Sequence, residues 1–463
     1  MAPIATLVHF ILLTLTTVTL AVSQTSMDES PATTDSCYCL RQTVGQSKNA
    51  VAVIFYTEGI KERLLVVEQR GVVSRYDADG TKINTFMDIR DRVVISTEFG
   101  ESRGLLSLVL DPDFHSRRNV YAYYIRRDED KEYAYVSKFN APGGTVDPST
   151  EQFLLRIYQP FIHGNGGPML YGDDGYLYIF VGDGGVEDDP EDRAQNISTF
   201  HGKVLRIDVQ KQSFTSGIAK MYTVPTSNPM INMSNVKEEI FATGLRNVWG
   251  CSQDSENQAG GTGRIFCAET GTNKFDEINI IESGRNYGWS IKEGTECRSS
   301  TVCAPIKNEG LPIHVLLHTS SHALVGGYVY RGKAFTKMAG AGYYVYGDVM
   351  TGKTYFLEET TSGRWKNHQW EICDVSKCPL DARETKLQYL LAFGQDKKGE
   401  LYLAMTDTLV PETGRGKILK VVPPNSSSSG LAPYPVIRVI AAVMIAMLFK
   451  TGNYLVVPQP PVL

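Results

Sequence analysis

The stretch from His163 to Gly185 carries an imidazole and a carboxylate at the two ends of a predicted β-hairpin. Its middle, Gly172-Asp-Asp-Gly175, has turn chemistry and is flanked by β-prone residues. Pairing about that turn places His163 opposite about position 184, next to Asp183. A carboxylate that orients an imidazole is an arrangement used in general-base catalysis. The alternative is an ordinary hairpin with two polar loops at one end.

This hairpin belongs to a longer region, residues 49–422, in which short β-prone runs alternate with Gly/Asp turns and no long helical pattern occurs. A unit of strand, Asp/Gly turn and aromatic-rich strand recurs loosely at multiples of roughly 60–80 residues. At about 60 residues a blade, the region predicts an all-β, six-bladed β-propeller whose ring is closed by an N-terminal strand in the last blade. The clearest predicted strands are Arg63–Glu68, Leu106–Leu110, Val120–Tyr124, Tyr176–Val181, Lys203–Val209, Arg264–Cys267, Gly327–Arg331, Tyr343–Tyr346, Lys353–Leu357, Leu401–Ala404 and Lys417–Val421.

The chain has eight cysteines, which predicts four disulfides if it is secreted. Cys37 and Cys39 are too close in sequence to pair easily with each other, so each should reach a distant partner. The predicted pairs are Cys37–Cys373, Cys39–Cys378, Cys251–Cys267 and Cys297–Cys303. The two long-range bridges would lock the ring, at roughly 4–5 kcal/mol each in the chain-entropy model. The cysteine spacings do not match a structural zinc site.

Both the N-terminal region and three sequons indicate secretion. Residues 1–23 resemble a signal peptide, because an apolar run is followed by small residues at the cleavage positions, Ala21-Val-Ser23. This region lacks Lys and Arg, so an N-terminal membrane anchor is the alternative. Residues 24–48 form an N-terminal extension. Glycosylation acceptors occur at Asn196, Asn232 and Asn425.

The C-terminal residues 423–463 form a Ser-rich linker and a tail with a short apolar run, Val439–Phe449. That run is too short to span a bilayer. Small residues, a spacer and an apolar segment resemble a GPI-anchor signal, although the chain continues to Leu463; a disordered tail is the alternative. The net charge of −5 does not indicate a basic surface for binding nucleic acid. We therefore predict a protein that is secreted or held on the extracellular face of the plasma membrane.

Several short motifs follow one another in a fixed order. They are His163…Gly166-Gly167, Gly182-Asp-Gly-Gly185, Gly202-Lys-Val-Leu-Arg-Ile-Asp208, Gly244-Leu-Arg-Asn247, Asp276-Glu-Ile-Asn279 and Asn286-Tyr-Gly-Trp289. In this order they resemble the glucose/sorbosone dehydrogenase superfamily, which implies a six-bladed propeller. Motifs around Cys251, Cys267, Cys297 and Gly326 resemble its hedgehog-interacting-protein-like branch. The resemblance covers residues 37–422, and that branch implies the same disulfides.

The resemblance also implies a catalytic site. In the bacterial quinoproteins of this superfamily, PQQ and Ca²⁺ lie over the central face, a His removes the hydroxyl proton of a sugar and hydride passes to the quinone. By motif, His163 would be that base and Asp183 its orienting carboxylate. Arg246 and Asn247 would contact the quinone, since Arg suits a cofactor with several carboxylates.

By the same motifs, Ca²⁺ would bind the backbone carbonyls of Gly271 and Thr272, because it prefers oxygen ligands.

The sequence departs from the family pattern in three places. An extra Gly164 follows the candidate base. Met350 stands near the position of a cofactor-binding Lys, and Lys386-Leu-Gln-Tyr stands where Arg-x-Arg is expected. Loss of these cations should weaken the binding of PQQ.

Two other polar patterns are open to a functional interpretation. Glu187–Asp192 is an acidic run that could bind Ca²⁺ or meet a basic or metal-bearing protein partner, or be a solvated surface loop. His314, His318 and His322 recur every four residues, although nearby proline and glycine residues favour a loop over a metal-binding helix.

The sequence thus leads to two hypotheses on function. The first is an extracellular recognition protein with a degenerate quinoprotein site and a protein or carbohydrate ligand. The second is an oxidoreductase that depends on PQQ and Ca²⁺ and acts on CH–OH groups of sugars, with His163 as its general base.

Overall fold

The computed structural model describes residues 36–215, 218–298, 303–318 and 323–425. The predicted signal peptide and the apolar C-terminal run lie outside these residues. Among the helices of the described ranges, none is long and apolar enough to cross a membrane. The regular structure is almost entirely β.

The chain begins with strand β1 (Cys37–Ser47) and then forms a series of four-stranded antiparallel sheets. The first sheet contains β2 (Ala50–Glu58), β3 (Lys61–Glu68), β4 (Val72–Asp77) and β5 (Lys82–Asp88). The second contains β6 (Leu105–Leu110), helix α1 (Phe114–Arg117), β7 (Asn119–Asp128), β8 (Lys131–Asn140), a 3-10 turn (Pro142–Gly144) and β9 (Asp147–Gln159).

Two further four-stranded sheets each contain an inserted hairpin. The third sheet has β10 (Gly166–Tyr171), β11 (Leu177–Val181) and β12 (Lys203–Ile207), then the hairpin β13 (Ser213–Thr215) and β14 (Ile218–Lys220), then β15 (Ile240–Thr243). The fourth has β16 (Val248–Gln253), β17 (Ile265–Glu269) and β18 (Phe275–Ile281), then the hairpin β19 (Lys292–Glu293) and β20 (Glu296–Cys297), then β21 (His314–Leu317).

The last part of the chain forms one eight-stranded sheet in the order β22-β23-β24-β25-β1-β28-β27-β26. Its elements are β22 (Leu324–Val329), α2 (Thr336–Ala341), β23 (Tyr344–Asp348), β24 (Thr354–Glu359), β25 (Trp365–Ile372), a 3-10 turn (Val375–Lys377), β26 (Tyr389–Gln395), β27 (Leu401–Thr406) and β28 (Gly416–Val422).

Strand β1 joins the two halves of this large sheet. It runs antiparallel to β28, with Leu40 opposite Val421, and pairs in parallel with β25 through Cys37 and Tyr38. The N-terminal strand therefore completes the last sheet, as predicted. The all-β, propeller-like arrangement is confirmed. The sheets differ from six separate blades, because β1 bonds to strands on both sides and fuses the last eight strands.

Apolar side chains fill the spaces between neighbouring sheets. Leu65 and Phe86 of the first sheet pack with Val120 of the second, and all three are fully buried. Val53 and Ala404 belong to a cluster that joins the first and last sheets. Because sheets are covered on both faces, strands such as β11 and β27 are buried at every position.

The innermost strands approach one another so closely that glycine is required at one contact. A Cβ atom added to Gly326 in β22 would lie 2.1 Å from the carbonyl oxygen of Gly250 in β16. A side chain at Gly326 would therefore push these two strands apart. The Gly326-Gly327 pair in the sequence thus marks a place where two sheets meet near the axis.

The structure contains the four disulfides that the sequence predicts. They are Cys37–Cys373, Cys39–Cys378, Cys251–Cys267 and Cys297–Cys303. The first two span sequence separations of 336 and 339 residues and tie β1 to the segment after β25. Since the two bridges close almost the same loop, their entropic contributions to stability are not additive, and the expectation of roughly 4–5 kcal/mol for each is too large for the second one. Once one bridge is formed, the other closes only a small ring.

We expect the loss of either long-range bridge alone to lower the free energy of unfolding by roughly 2–3 kcal/mol, because the remaining bridge still restricts the unfolded chain. Replacing all four cysteines by alanine should cost roughly 8 kcal/mol, which is more than two single losses together. Urea unfolding of the two single-bridge variants and the double variant measures this. Additive losses would contradict the shared-loop explanation, and removal of Cys251–Cys267 provides a control with a short loop.

Candidate functional site

The hairpin formed by β10 and β11 brings its two ends together, as predicted. Near the turn the register pairs Met169 with Ile179, one residue off the predicted pairing. A bulge then shifts the register, so that Gly166 lies opposite Val181. Beyond the strands, the backbone N–H of Gly184 donates to the carbonyl oxygen of Gly164 at 3.0 Å. The segments that carry His163 and Asp183 are therefore adjacent.

The side chains of these two residues do not pair. The Asp183 carboxylate is buried and accepts hydrogen bonds from the indole N–H of Trp289 at 2.9 Å and from the backbone N–H of Gly185 at 2.8 Å. The His163 imidazole makes no hydrogen bond to any residue that the structure describes. Partial burial lowers the pKa of His163, although much of the residue is exposed. The structure therefore shows no hydrogen bond between Asp183 and His163, and the catalytic roles of the two residues stay predictions.

Burial raises the pKa of Asp183 from 3.8 to about 6, against the opposing effects of the nearby Arg246 charge and of its two hydrogen bonds. The carboxylate is surrounded by backbone of the Gly-rich segment and by the indole ring. A group with this pKa is only partly ionised in mildly acidic solution. It is positioned to hold Trp289 and the 183–185 turn rather than to assist His163.

Arg246 occupies the position where the resemblance implies a cation-binding pair of carbonyls. Its Nη1 donates to the carbonyl oxygen of Thr270 at 2.9 Å and to that of Gly271. Its guanidinium carbon lies 5.5 Å from the Trp289 ring centre, within cation–π range. Among the described residues no carboxylate lies within ion-pair distance of Arg246. A guanidinium therefore binds one of the carbonyls that the sequence assigned to Ca²⁺.

The loop that carries those carbonyls is held by Glu293, four residues before Cys297. One carboxylate oxygen accepts the backbone N–H groups of Thr272, Asn273 and Lys274 at 2.6, 2.9 and 3.0 Å. Burial alone would raise the pKa of Glu293, but the backbone donors outweigh it and lower the pKa. Glu293 therefore organises the turn after β17 without a metal ion.

Two fully buried carboxyls lie below this loop. The Asn279 amide donates to Glu269 at 3.3 Å and to Glu277 at 3.1 Å. Burial raises the pKa of both groups, that of Glu277 to about 7, and the charge of Glu277 raises the pKa of Glu269 further. The pair therefore retains a proton near neutral pH, which lowers the cost of burying two acids together.

Beside this loop, the imidazole of His318 does pair with a carboxylate. Its Nδ1 lies 2.8 Å from Oδ1 of Asp276, which also accepts the backbone N–H of Gly271 at 2.7 Å. The hydrogen bond to Asp276 raises the pKa of His318. The sequence singled out this histidine only by its spacing from His314, which lies in β21 rather than in a loop. His322 lies outside the described residues.

The structure provides no cluster of metal ligands in its described ranges: no three His, Cys, Asp or Glu side chains are placed to hold an ion. In the acidic loop Asp188 forms an ion pair with Arg298, and Asp189 accepts the backbone N–H groups of Arg193 and Ala194 at 2.9 and 2.8 Å. These contacts hold the loop without an ion.

The residues of the central face do not fit PQQ with Ca²⁺ in this arrangement. Asn247 accepts the backbone N–H of Gly166 at 3.2 Å. Lys386, at the position of the missing Arg-x-Arg segment, donates to the carbonyl oxygen of Thr351 instead.

The three glycosylation acceptors, Asn196, Asn232 and Asn425, are all exposed. Their accessibility is compatible with glycan attachment, which stays a prediction.

We expect the stability of the protein to fall as pH rises from about 4 to about 6, because the folded state keeps Asp183 protonated after the unfolded chain has lost that proton. The difference between 3.8 and about 6 corresponds to roughly 3 kcal/mol. Asp183→Asn should remove this part of the pH dependence. Urea unfolding at a series of pH values measures it, with the exposed Asp130→Asn as control. Parallel pH curves for wild type and Asp183→Asn would contradict this expectation.

Comparison with known proteins connects this site to a family. The family model for glucose/sorbosone dehydrogenase matches residues 48–353. HIPL2 protein of Arabidopsis thaliana is 28% identical over 382 residues, which cover 69% of this chain and 53% of the relative. Hedgehog-interacting protein of Homo sapiens is 27% identical over 403 residues, which cover 84% of this chain and 53% of the relative. The chain thus spans about half the length of these relatives.

Solved structures agree in fold. The soluble aldose sugar dehydrogenase from Escherichia coli, in its apo form, matches with a TM-score of 0.63 at 19% identity, covering 83% of this chain and 99% of that one. The PQQ-bound aldose sugar dehydrogenase from Streptomyces coelicolor matches with a TM-score of 0.58 at 19% identity, covering 83% and 97%. The family match extends from the residues before β2 to the residue before β24, and the motifs of the central face fall within it. This chain belongs to the glucose/sorbosone dehydrogenase family, and hedgehog-interacting protein and its HIPL homologues are among its relatives.

Proposed function

We propose that this protein is an extracellular recognition protein that uses a dehydrogenase-like propeller as a scaffold. The observation that carries the proposal is the position of Arg246, whose guanidinium binds the carbonyl oxygens of Thr270 and Gly271. A bound Ca²⁺ would need the Gly271 oxygen and would be repelled by the guanidinium at that distance. The pairing of Asp183 with Trp289 supports the same proposal, because it leaves His163 without an orienting carboxylate.

The acidic loop Glu187–Asp192 is the proposed contact surface for a protein partner. Glu187 is exposed, and Asp192 accepts a hydrogen bond from the Ser290 hydroxyl at 3.3 Å. Arg298 binds Asp188 and stacks over Trp289 at 4.3 Å, which ties the loop to the central face. A loop of acidic side chains held in one conformation suits a basic or metal-bearing protein. The name of the human relative makes a hedgehog protein the first partner to test.

We further propose that the eight-stranded sheet represents two blades, β22–β25 and β26–β28 with β1, so that the propeller has six. Val345 of β23 and Leu390 of β26 pack in one apolar cluster, as side chains on facing blades do. This contact supports two separate layers within the fused sheet. Phe266 and Tyr344 stack at 4.8 Å between the fourth sheet and β23, so the first of these layers packs on the fourth sheet.

We expect the purified chain to bind the signalling domain of a hedgehog protein on a biosensor. Glu187→Gln with Asp192→Asn should weaken binding roughly tenfold or more, because complementary charge controls association. Glu129→Gln with Glu371→Gln alters two exposed carboxylates elsewhere and should leave the affinity unchanged. Failure to bind, or equal losses in both double variants, would contradict the proposed partner surface.

We expect no sugar-dependent reduction of an artificial electron acceptor after incubation with PQQ and Ca²⁺. The physical reason is that the Arg246 guanidinium binds the carbonyl oxygen of Gly271, which Ca²⁺ would need. The assay uses a panel of aldoses, with His163→Ala as the matched variant. Robust dye reduction that disappears in His163→Ala would establish the oxidoreductase hypothesis instead.

A further inference from the structure

A second and larger cavity lies away from the central face, at the junction between the first and last sheets. It is a groove of about 830 Å³, bordered by β3–β5 on one side and by the end of β1 and the segment between β27 and β28 on the other. None of the residues assigned to the central site lines it. Its volume is within the range of ligand-binding sites, roughly 300–1,000 Å³.

Positive charge dominates the walls of this groove. Three carboxylates line it, and each is bound by an arginine of the same wall: Glu68 by Arg70 at 2.8 Å, Asp88 by Arg90 at 2.7 Å and Asp407 by Arg415 at 2.9 Å. The cations of the lining are Lys48, Arg70, Lys82, Arg90, Arg415 and Lys417. Six cations against three carboxylates leave an excess of three positive charges in a protein whose net charge is −5.

Several of these cations are available to a ligand. Lys48 donates to the carbonyl oxygen of Glu412 at 2.8 Å, and neither it nor Lys82 has a carboxylate within ion-pair distance among the described residues. Lys417 pairs with Glu384, outside the groove lining, at 2.7 Å. Arg90 and Arg415 are exposed, and ion pairs of exposed side chains contribute little to stability because water and salt screen them. An incoming anion can therefore share these arginines at little cost.

The remaining walls of the groove are polar. Ser74, Thr85 and Tyr76 contribute hydroxyl groups, and Ser47 lines the groove at the end of β1. Ser47 is 5% exposed, and its buried hydroxyl has no hydrogen-bond partner among the described residues. Such a group is costly to leave unpaired, which points to a polar occupant. Few apolar side chains are available to anchor the side chains of a peptide.

We propose that this groove binds a sulfated polysaccharide chain. Sulfate groups would pair with the exposed arginines and lysines, since guanidinium groups bind oxyanions through two parallel hydrogen bonds. Sugar hydroxyls would bond to exposed hydroxyl groups of the lining such as that of Thr85. The inference uses the proposed extracellular location but neither the acidic loop nor the central face. A protein bound at the loop and a polyanion bound in this groove would lie on different parts of the molecule.

The test is heparin-oligosaccharide binding by isothermal titration calorimetry at two salt concentrations. Lys82→Glu with Arg90→Glu and Arg415→Glu should weaken binding at least tenfold and reduce its salt dependence, because screening acts on these contacts. Lys131→Glu with Arg364→Glu and Lys366→Glu produces the same change in net charge on other surfaces and should alter affinity less than twofold. Circular dichroism and melting temperature establish that both variants are folded.

Two comparisons complete the test. Desulfated heparin should bind at least tenfold more weakly than heparin, whereas equal binding would overturn the role of sulfate. Tighter binding of a DNA duplex or a polyglutamate peptide than of heparin, or equal losses in both triple variants, would overturn the proposal. Hedgehog binding by the groove variant should be unchanged, so a failure here is distinguishable from a failure of the proposed protein-binding function.

Discussion

The architecture depends on the pairing of β1 with strands from the far end of the chain. Bonds from β1 to β28 and β25 join residues more than three hundred positions apart, and two disulfides reinforce the junction. A ring of sheets closes only when its first and last sheets meet, and the cluster around Val53 and Ala404 fills that interface. The closure also builds the basic groove, because both of its walls come from the two ends of the chain.

The central face shows how polar groups of a catalytic type can be used for structure. Trp289 binds Asp183 and packs between two arginines, Glu293 organises the turn after β17, and Arg246 caps the carbonyls of that turn. Each buried charge has several hydrogen-bond partners, as its removal from water requires. The same residue types can therefore persist at the positions of a family motif while their partners differ from those that catalysis needs.

Most of the fold could be predicted from the sequence, since inner strands such as β11 and β27 are buried on both faces and appear as continuous apolar runs. Outer strands were harder to predict from the sequence. β25, Trp365–Ile372, is exposed at half of its positions, and its polar residues leave it without a continuous apolar run. The site was predicted in its location but not in its contacts. Asp276 and His318 are 42 residues apart, and only the packing of β18 beside β21 brings them together.

The sequence by itself determined the strand-and-turn pattern, the disulfide pairs and the convergence of the two ends of the Gly172–Gly175 hairpin. These features depend on local turn chemistry, on the alternation of burial and on cysteine spacing, all of which are written along the chain. The tertiary structure alone decided that Asp183 binds Trp289, that Arg246 holds the Gly271 carbonyl and that cations from both chain ends line one groove. Those contacts form between sheets, and the spacing of residues along the chain does not indicate which buried polar groups will meet there.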